Sequence, residues 1–132
     1  MTSQSQKVKN RADERLLAAN TPLLIARSEG MCEVGSEMCA GIVFDPESDV
    51  AAQIVQECFS RHHRRLKRQG GTSELDNLVL ACGSGTSGCH GWIHRNPQRS
   101  RTLGWLVSAH GPAPEHMPWL RRGVWTLREQ AA

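Results

Sequence analysis

Apolar positions along this chain come in short clusters separated by longer polar stretches, and that spacing predicts a series of brief elements. Residues 1–10 are polar and predict a frayed tail. Leu16 and Leu17, set among helix formers, predict a short helix within residues 11–19. Asn20-Thr21 before Pro22 reads as the cap and first position of a second helix, with Leu23, Leu24 and Ile25 on its apolar side and Gly30 as its stop. A loop over residues 32–39 contains Gly35, and the apolar run Ile42-Val43-Phe44 is ended by Asp45-Pro46.

Residues 49–59 satisfy two periods at once. Val50, Ile54 and Phe59 would line a helix, whereas Val55, Glu57, Phe59, Arg61 and His63 alternate as in a strand. A short helix giving way to a strand near Glu57 accommodates both, with Cys58 as a small buried hydrophobe in that strand. Gly70-Gly71 then breaks the chain, residues 72–76 form a polar turn, and residues 77–81 (Asn-Leu-Val-Leu-Ala) predict a strand returning antiparallel to the first. After a Gly/Ser-rich loop over residues 82–89, a helix is expected at residues 90–95. Asn96-Pro97 opens another, which Gly104 stops. Trp105-Leu106-Val107 and Val124-Trp125-Thr126-Leu127 predict two strands paired around the proline-rich loop 111–118. Their tryptophans are expected in or over the core, not as a platform for stacking bases.

A chain of 132 residues has room for one domain with a modest core. The net charge of +3 is a mild bias, but Arg61, Arg64, Arg65, Lys67 and Arg68 lie close together beside the doublet His62-His63. A basic run there fits either a solvated face or an anion site, and possible metal ligands beside it favour the anion. The five cysteines are an odd count without an apolar leader, which favours metal-bound thiolates in a reducing, cytoplasmic setting over a disulfide framework. No stretch approaches the roughly 18 apolar residues of a membrane span, so no membrane partner is expected.

Two sets of residues have metal-ligand chemistry. Cys32 and Cys39 upstream and Cys82 and Cys89 downstream, each pair separated by six residues, supply the four thiolates of a closed tetrahedral site for a structural Zn²⁺. The bland alternative is two pairs of buried free thiols. His90 and His94, four apart, share one face of a helix, and with His62 they make three protein ligands with positions left open for water and a phosphate oxygen. In a strand His62 and His63 point to opposite faces, so His63 stays free as a general base near neutral pH. Asn77 cannot serve as acid or base, but its amide can hold the backbone or ring beside it and so orient His63. His110 and His116 are assigned no role.

Arg-His-His-Arg, Gly-Gly, Asn-Leu-Val-Leu and Cys-His with a trailing Ile-His resemble the HNH endonuclease family, and more closely its small phage- and prophage-encoded members. The resemblance spans residues 31–94. It implies an α+β fold: a ββα-metal (His-Me finger) core with a four-cysteine zinc site, flanking short helices and a C-terminal β-hairpin. Residues 11–110 would form the nuclease domain, residues 1–10 a disordered tail and residues 111–132 a C-terminal loop and strand extension packed on the same domain. By the same resemblance His63 matches the general base, Asn77 the middle Asn, His90 the final ligand histidine and His62 the ligand position often filled by Asp. His94 corresponds to the further helix histidine of colicin-type nucleases. Two departures stand out: a long segment between Cys39 and His62, and wide cysteine spacing.

The implied activity is hydrolysis of DNA phosphodiesters with one catalytic divalent ion (Mg²⁺, Mn²⁺ or Zn²⁺). Arg61, Arg64, Arg65, Lys67 and Arg68 would contact phosphates. Phage-borne relatives of this kind often sit beside DNA-packaging genes, which makes a terminase a candidate partner in a bacterial host. The rival readings are a zinc-stabilised module that binds nucleic acid without cleaving it, and a nuclease preferring RNA.

Overall fold

The computed structural model describes residues 3–127. Its first element is a single helix, α1 (Gln4–Ser28), where the sequence predicts a tail and two short helices. Ser3 caps it by accepting from the Gln6 amide, and Glu29 in the left-handed region ends it ahead of Gly30. Residues 1–2 of the expected tail lie outside the described residues, and the rest of it is helical from Gln4.

Pro22 does not start a helix; it sits inside one. It leaves the carbonyl four residues earlier without its amide partner, but Ala18 is exposed, so solvent can take that bond. What keeps the helix continuous is its inner face: Asp13, Leu17, Asn20, Thr21, Leu24, Ile25 and Ser28 recur at helical spacing and are wholly or partly buried. Asn20 and Thr21 therefore serve as tertiary contacts and not as a cap. Asn20 Nδ2 donates to the Ser73 carbonyl at 2.8 Å, and Thr21 Oγ1 accepts from Arg61 at 3.0 Å.

The ambiguous stretch resolves as α2 (Ala51–Cys58) followed directly by β1 (Phe59–His63), so Cys58 ends the helix, half-buried, and is not in the strand. β2 (Leu78–Cys82) is buried along its whole length and pairs antiparallel with β1, placing Phe59 opposite Cys82 and His63 opposite Leu78. Asn77 closes the single 3₁₀ turn that precedes β2 and lies outside the strand. Helix α3 (Gly88–Arg95) packs on β2, and α4 (Pro97–Thr102) follows it.

A C-terminal hairpin exists, but it pairs β3 (Trp119–Arg121) with β4 (Val124–Thr126). Trp105 is not in a strand, because its segment is bound elsewhere: the amides of Trp105 and Leu106 both reach the Ser100 carbonyl, and that of Val107 reaches Arg64. Arg122 and Gly123, both at positive φ, supply the tight two-residue turn that the proline-rich loop does not. Trp105, Trp92 and Trp119 are buried, whereas Trp125 on β4 is 52% exposed and covers no core.

The described residues thus form a small mixed α+β fold of four helices and two small antiparallel sheets. Leu24, Leu78, Leu80 and Ile93 are fully buried at its centre. The buried carboxylate of Glu33 ties its parts together. It accepts from Arg27, Arg121 and the Leu80 amide at 2.8 to 3.0 Å, joining α1, β2 and the hairpin. Burying that charge is tolerable only because both oxygens are paired and hydrogen-bonded. Among the described residues no helix is long and apolar enough to cross a membrane.

Candidate functional site

Two groups of metal-ligand side chains meet at α3. Consecutive residues Cys89 and His90 point about a quarter-turn apart on that helix and so serve different groups.

Cys32, Cys39, Cys82 and Cys89 converge, with all four sulfur atoms within 4.8 Å of one another and none in a disulfide. Sulfurs bound to one zinc at about 2.3 Å would lie roughly 3.8 Å apart. The 4.0 Å between Cys82 and Cys39 is close to that. Backbone amides surround the cluster: Cys82 N donates to Cys32, Ser36 N to Cys89, Ala40 N to Cys82 and Cys89 N to Cys82, at 3.3 to 3.4 Å. Amides aimed at sulfur stabilise thiolate, and such outer bonds are how thiolate ligands are held ready for a cation.

Cys32, Cys39 and Cys89 compete for charge. The Cys89 thiol donates to Cys32 and holds that thiol down at about 5, although burial opposes it. Cys89 is itself pushed up by the same bond and then by burial, and Cys39 is pushed up by burial first. The Cys32 thiolate forms readily while Cys39 and Cys89 resist, and a divalent cation would remove the conflict. This group can hold a structural zinc.

His62, His90 and His94 form the second group, with one ligand nitrogen from each within 4.8 Å of the others. β1 delivers His62, and one turn of α3 delivers the other two. The His62 Nε2 lies 2.7 Å from the Trp105 carbonyl and must donate to it, which leaves the Nδ1 lone pair free to coordinate. The Nε2 atoms of His90 and His94 are 3.0 Å apart, near the roughly 3.0 to 3.4 Å expected of two nitrogens about 2.1 Å from one ion at a right or tetrahedral angle. His90 Nδ1 is buried without a hydrogen-bond partner among the described residues.

Burial is the first cause that lowers all three basicities. His62 is pushed down to about 3 and His90 to about 4, with the neighbouring histidines adding to the effect. His94 is lowered by burial and then by Arg68. Neutral imidazoles with lone pairs converging on one point fit a divalent cation. The group is buried at His62 and exposed at His94, so the side facing solvent is open.

His63 is not part of this trio, although it lies near enough for its charge to lower His62 and His90. Its Nε2 lies 3.0 Å from Ser73 Oγ, and the ring is held below the ordinary histidine range by burial first and then by the charge of Lys67. Ser73 in turn donates from Oγ and from its backbone amide to the two oxygens of Asp13, at 2.8 and 2.7 Å. Nothing in the sequence marked Asp13 or Ser73, which lie on α1 and in a polar turn, sixty residues apart. The Trp105 carbonyl was equally invisible, because a backbone atom leaves no residue signature.

Asn77 holds backbone and not the His63 ring. Its Oδ1 accepts from the Arg65 amide at 2.7 Å, and its Nδ2 donates to the carbonyls of Arg65 and Thr72 at 3.0 and 2.8 Å. The loop after His63 is thereby stapled to the start of β2. Gly71 is required there, since a Cβ would stand 1.7 Å from the Arg65 carbonyl oxygen.

The basic run divides sharply. Arg64 is not available to a phosphate: it is 1% exposed, and its guanidinium donates to the carbonyls of Gly104, Asp76, Pro114 and Met117. Burial lowers it only to about 10, so it stays charged. Arg65 is likewise engaged, with the carbonyls of Ser108, Gly111 and Pro112. Both departures from a phosphate contact have one cause: a planar side chain with several donors can bond several loop carbonyls at once. Arg61 reaches Thr21, and Lys67 pairs with Asp13 at 3.3 Å while remaining exposed. Exposed Arg68 lines a cavity of about 380 Å³ together with His94, Arg101 and His110.

The chain was compared with protein-family models, with curated proteins and with solved structures, and none of them matches it.

Proposed function

We propose that this chain is a metal-dependent endonuclease that hydrolyses DNA phosphodiesters, with β1, β2 and α3 as a ββα-metal core. One observation carries the reading: three neutral imidazoles converge on one point, and the adjacent His63 is excluded from that group and left as a free base.

A divalent ion held by His62, His90 and His94 would act as a Lewis acid toward the non-bridging and leaving oxygens of the phosphodiester. Softer ions suit an all-imidazole site, while availability favours Mg²⁺. The protein's own contribution begins with His63, which takes a proton from water. Its lowered basicity keeps it unprotonated at neutral pH and able to accept. The resulting hydroxide oxygen bonds to phosphorus as the bond to the 3′ oxygen breaks, and that oxygen leaves with a proton from solvent. The products are a 5′ phosphate and a 3′ hydroxyl. Asn77 fixes the loop that carries Arg65 and so holds the end of β1, where His63 sits. Arg68 and Arg101, beside His94 on the open side, supply positive charge where the flanking phosphates would lie.

The test uses supercoiled plasmid with the purified protein, with and without divalent ions and chelator. Wild type should nick the plasmid only with metal, and His63→Ala should lower the rate by about 10²–10⁴-fold while DNA binding survives. If His63→Ala nicks as well as wild type, or wild type binds DNA without cleaving it under every ion, the protein is a binding module instead. A folded RNA as second substrate decides which nucleic acid is preferred.

A further inference from the structure

The contacts around Ser73 assign a direction to the hydrogen bonds behind His63. A serine hydroxyl has one proton to give, and the Asp13 carboxylate can only accept. Burial pushes Asp13 up, but its bonds from Ser73 and Lys67 outweigh that and hold it below the usual carboxylate range, so the acceptor is ionised at neutral pH. The Ser73 proton therefore goes to Asp13 Oδ2, 2.8 Å away, and Ser73 Oγ has only lone pairs left for His63 Nε2 at 3.0 Å.

We propose that Asp13 and Ser73 are positioning residues that fix His63 as its Nε2-protonated tautomer, leaving Nδ1 as the basic atom. The inference rests on the endonuclease reading for its catalytic consequence, but the tautomer itself does not depend on that reading.

The geometry is built and not incidental. Ser73 is fully buried and is held at three points by α1: its amide and hydroxyl by Asp13, and its carbonyl by Asn20 at 2.8 Å. Asp13 and Asn20 are seven residues apart, two turns of one helix, so both face the same loop. Lys67 closes the group from the basic run. The long N-terminal helix thus acquires a task beyond packing: it supports the loop that orients the base.

The isosteric variant Asp13→Asn gives a sharp test, because it reverses the polarity. The substituted amide has a single carbonyl oxygen, which the Ser73 backbone N–H needs, so its NH₂ faces Ser73 Oγ and donates to it. The hydroxyl proton is then free to turn toward His63 Nε2, which favours the Nδ1-protonated ring and removes the base lone pair.

Full-length protein labelled with ¹⁵N in its histidine rings should be measured by NMR at pH 7.5, with His63 assigned from its absence in His63→Ala. The expected wild-type pattern is a protonated Nε2 and an unprotonated Nδ1. Asp13→Asn should shift His63 toward the Nδ1-protonated form, and Ser73→Ala should give a mixture. In steady-state cleavage Asp13→Asn should lower kcat roughly 10-fold or more with KM unchanged. A wild-type His63 protonated on Nδ1, or a tautomer indifferent to both substitutions, overturns the proposal. Absence of cleavage by wild type, with the expected tautomers present, overturns the endonuclease reading and leaves the hydrogen-bond assignment standing.

Discussion

The cysteine group and the histidine group share one helix and differ in nearly every physical respect. Three of the four cysteines are buried, and amides from the surrounding loops approach the sulfurs closely. The histidine group has one buried member, one half-buried and one exposed, and a single carbonyl holds His62 from behind. Four ligands in a closed shell leave no room for a substrate, whereas three ligands with an open side do. Closure suits holding the fold together and openness suits chemistry. A one-residue step along α3, from Cys89 to His90, is enough to cross from one to the other.

The largest expected effect separates the two by stability. Cys82→Ser should destabilise the protein by several kcal/mol and lower its Tm by roughly 10 °C or more, since the binding energy of a structural zinc is folding energy. His90→Ala should leave most of the Tm in place while reducing bound metal by one ion per chain, as read by elemental analysis. Equal losses of Tm in the two variants would erase the contrast drawn between the groups.

A smaller effect comes from pH, in protein carrying one zinc per chain at the cysteines. Folding lowers the basicity of His62, His90 and His94, through burial first, so the unfolded chain binds more protons between the ordinary histidine value and the folded ones. Stability should be level above about pH 7 and fall as pH drops from about 6.5 toward 4. His90→Gln removes one of these groups and should flatten the fall in Tm. Filling the histidine site with a second ion should do the same, because a coordinated lone pair cannot take a proton. A Tm that rises on acidification in this window would contradict the sign.

The smallest effect concerns the basic run. Arg68→Ala should weaken DNA binding by roughly 3–10-fold and reduce the slope of log affinity against log salt by about one, as loss of one phosphate contact requires. Fluorescence anisotropy at several salt concentrations measures it. An unchanged slope would move the nucleic acid away from the open side of the histidine group.

The antiparallel pair and both ligand groups were legible in the sequence because residue type and spacing carry them. Alternation around Phe59 and His63 marked a strand, and the cysteine pairs and the His-x3-His spacing marked ligands. Elsewhere local signals gave way to tertiary ones. Pro22 looks like a helix start, yet the inner face of α1 packs along its length and overrides the missing amide. Arg64 looks like a phosphate contact, yet its guanidinium is taken up by four carbonyls from segments distant in the chain.

By itself, the amino-acid sequence determined which side chains carry metal-ligand atoms and which short segments alternate as strands. These are properties of side chains and their near neighbours. Only the tertiary structure decided that Asp13 meets Ser73, that the Trp105 carbonyl fixes His62, and which arginines are left to face solvent. Those outcomes depend on backbone groups and on partners far apart in the chain. A buried polar group takes its partners from whatever packing brings to it.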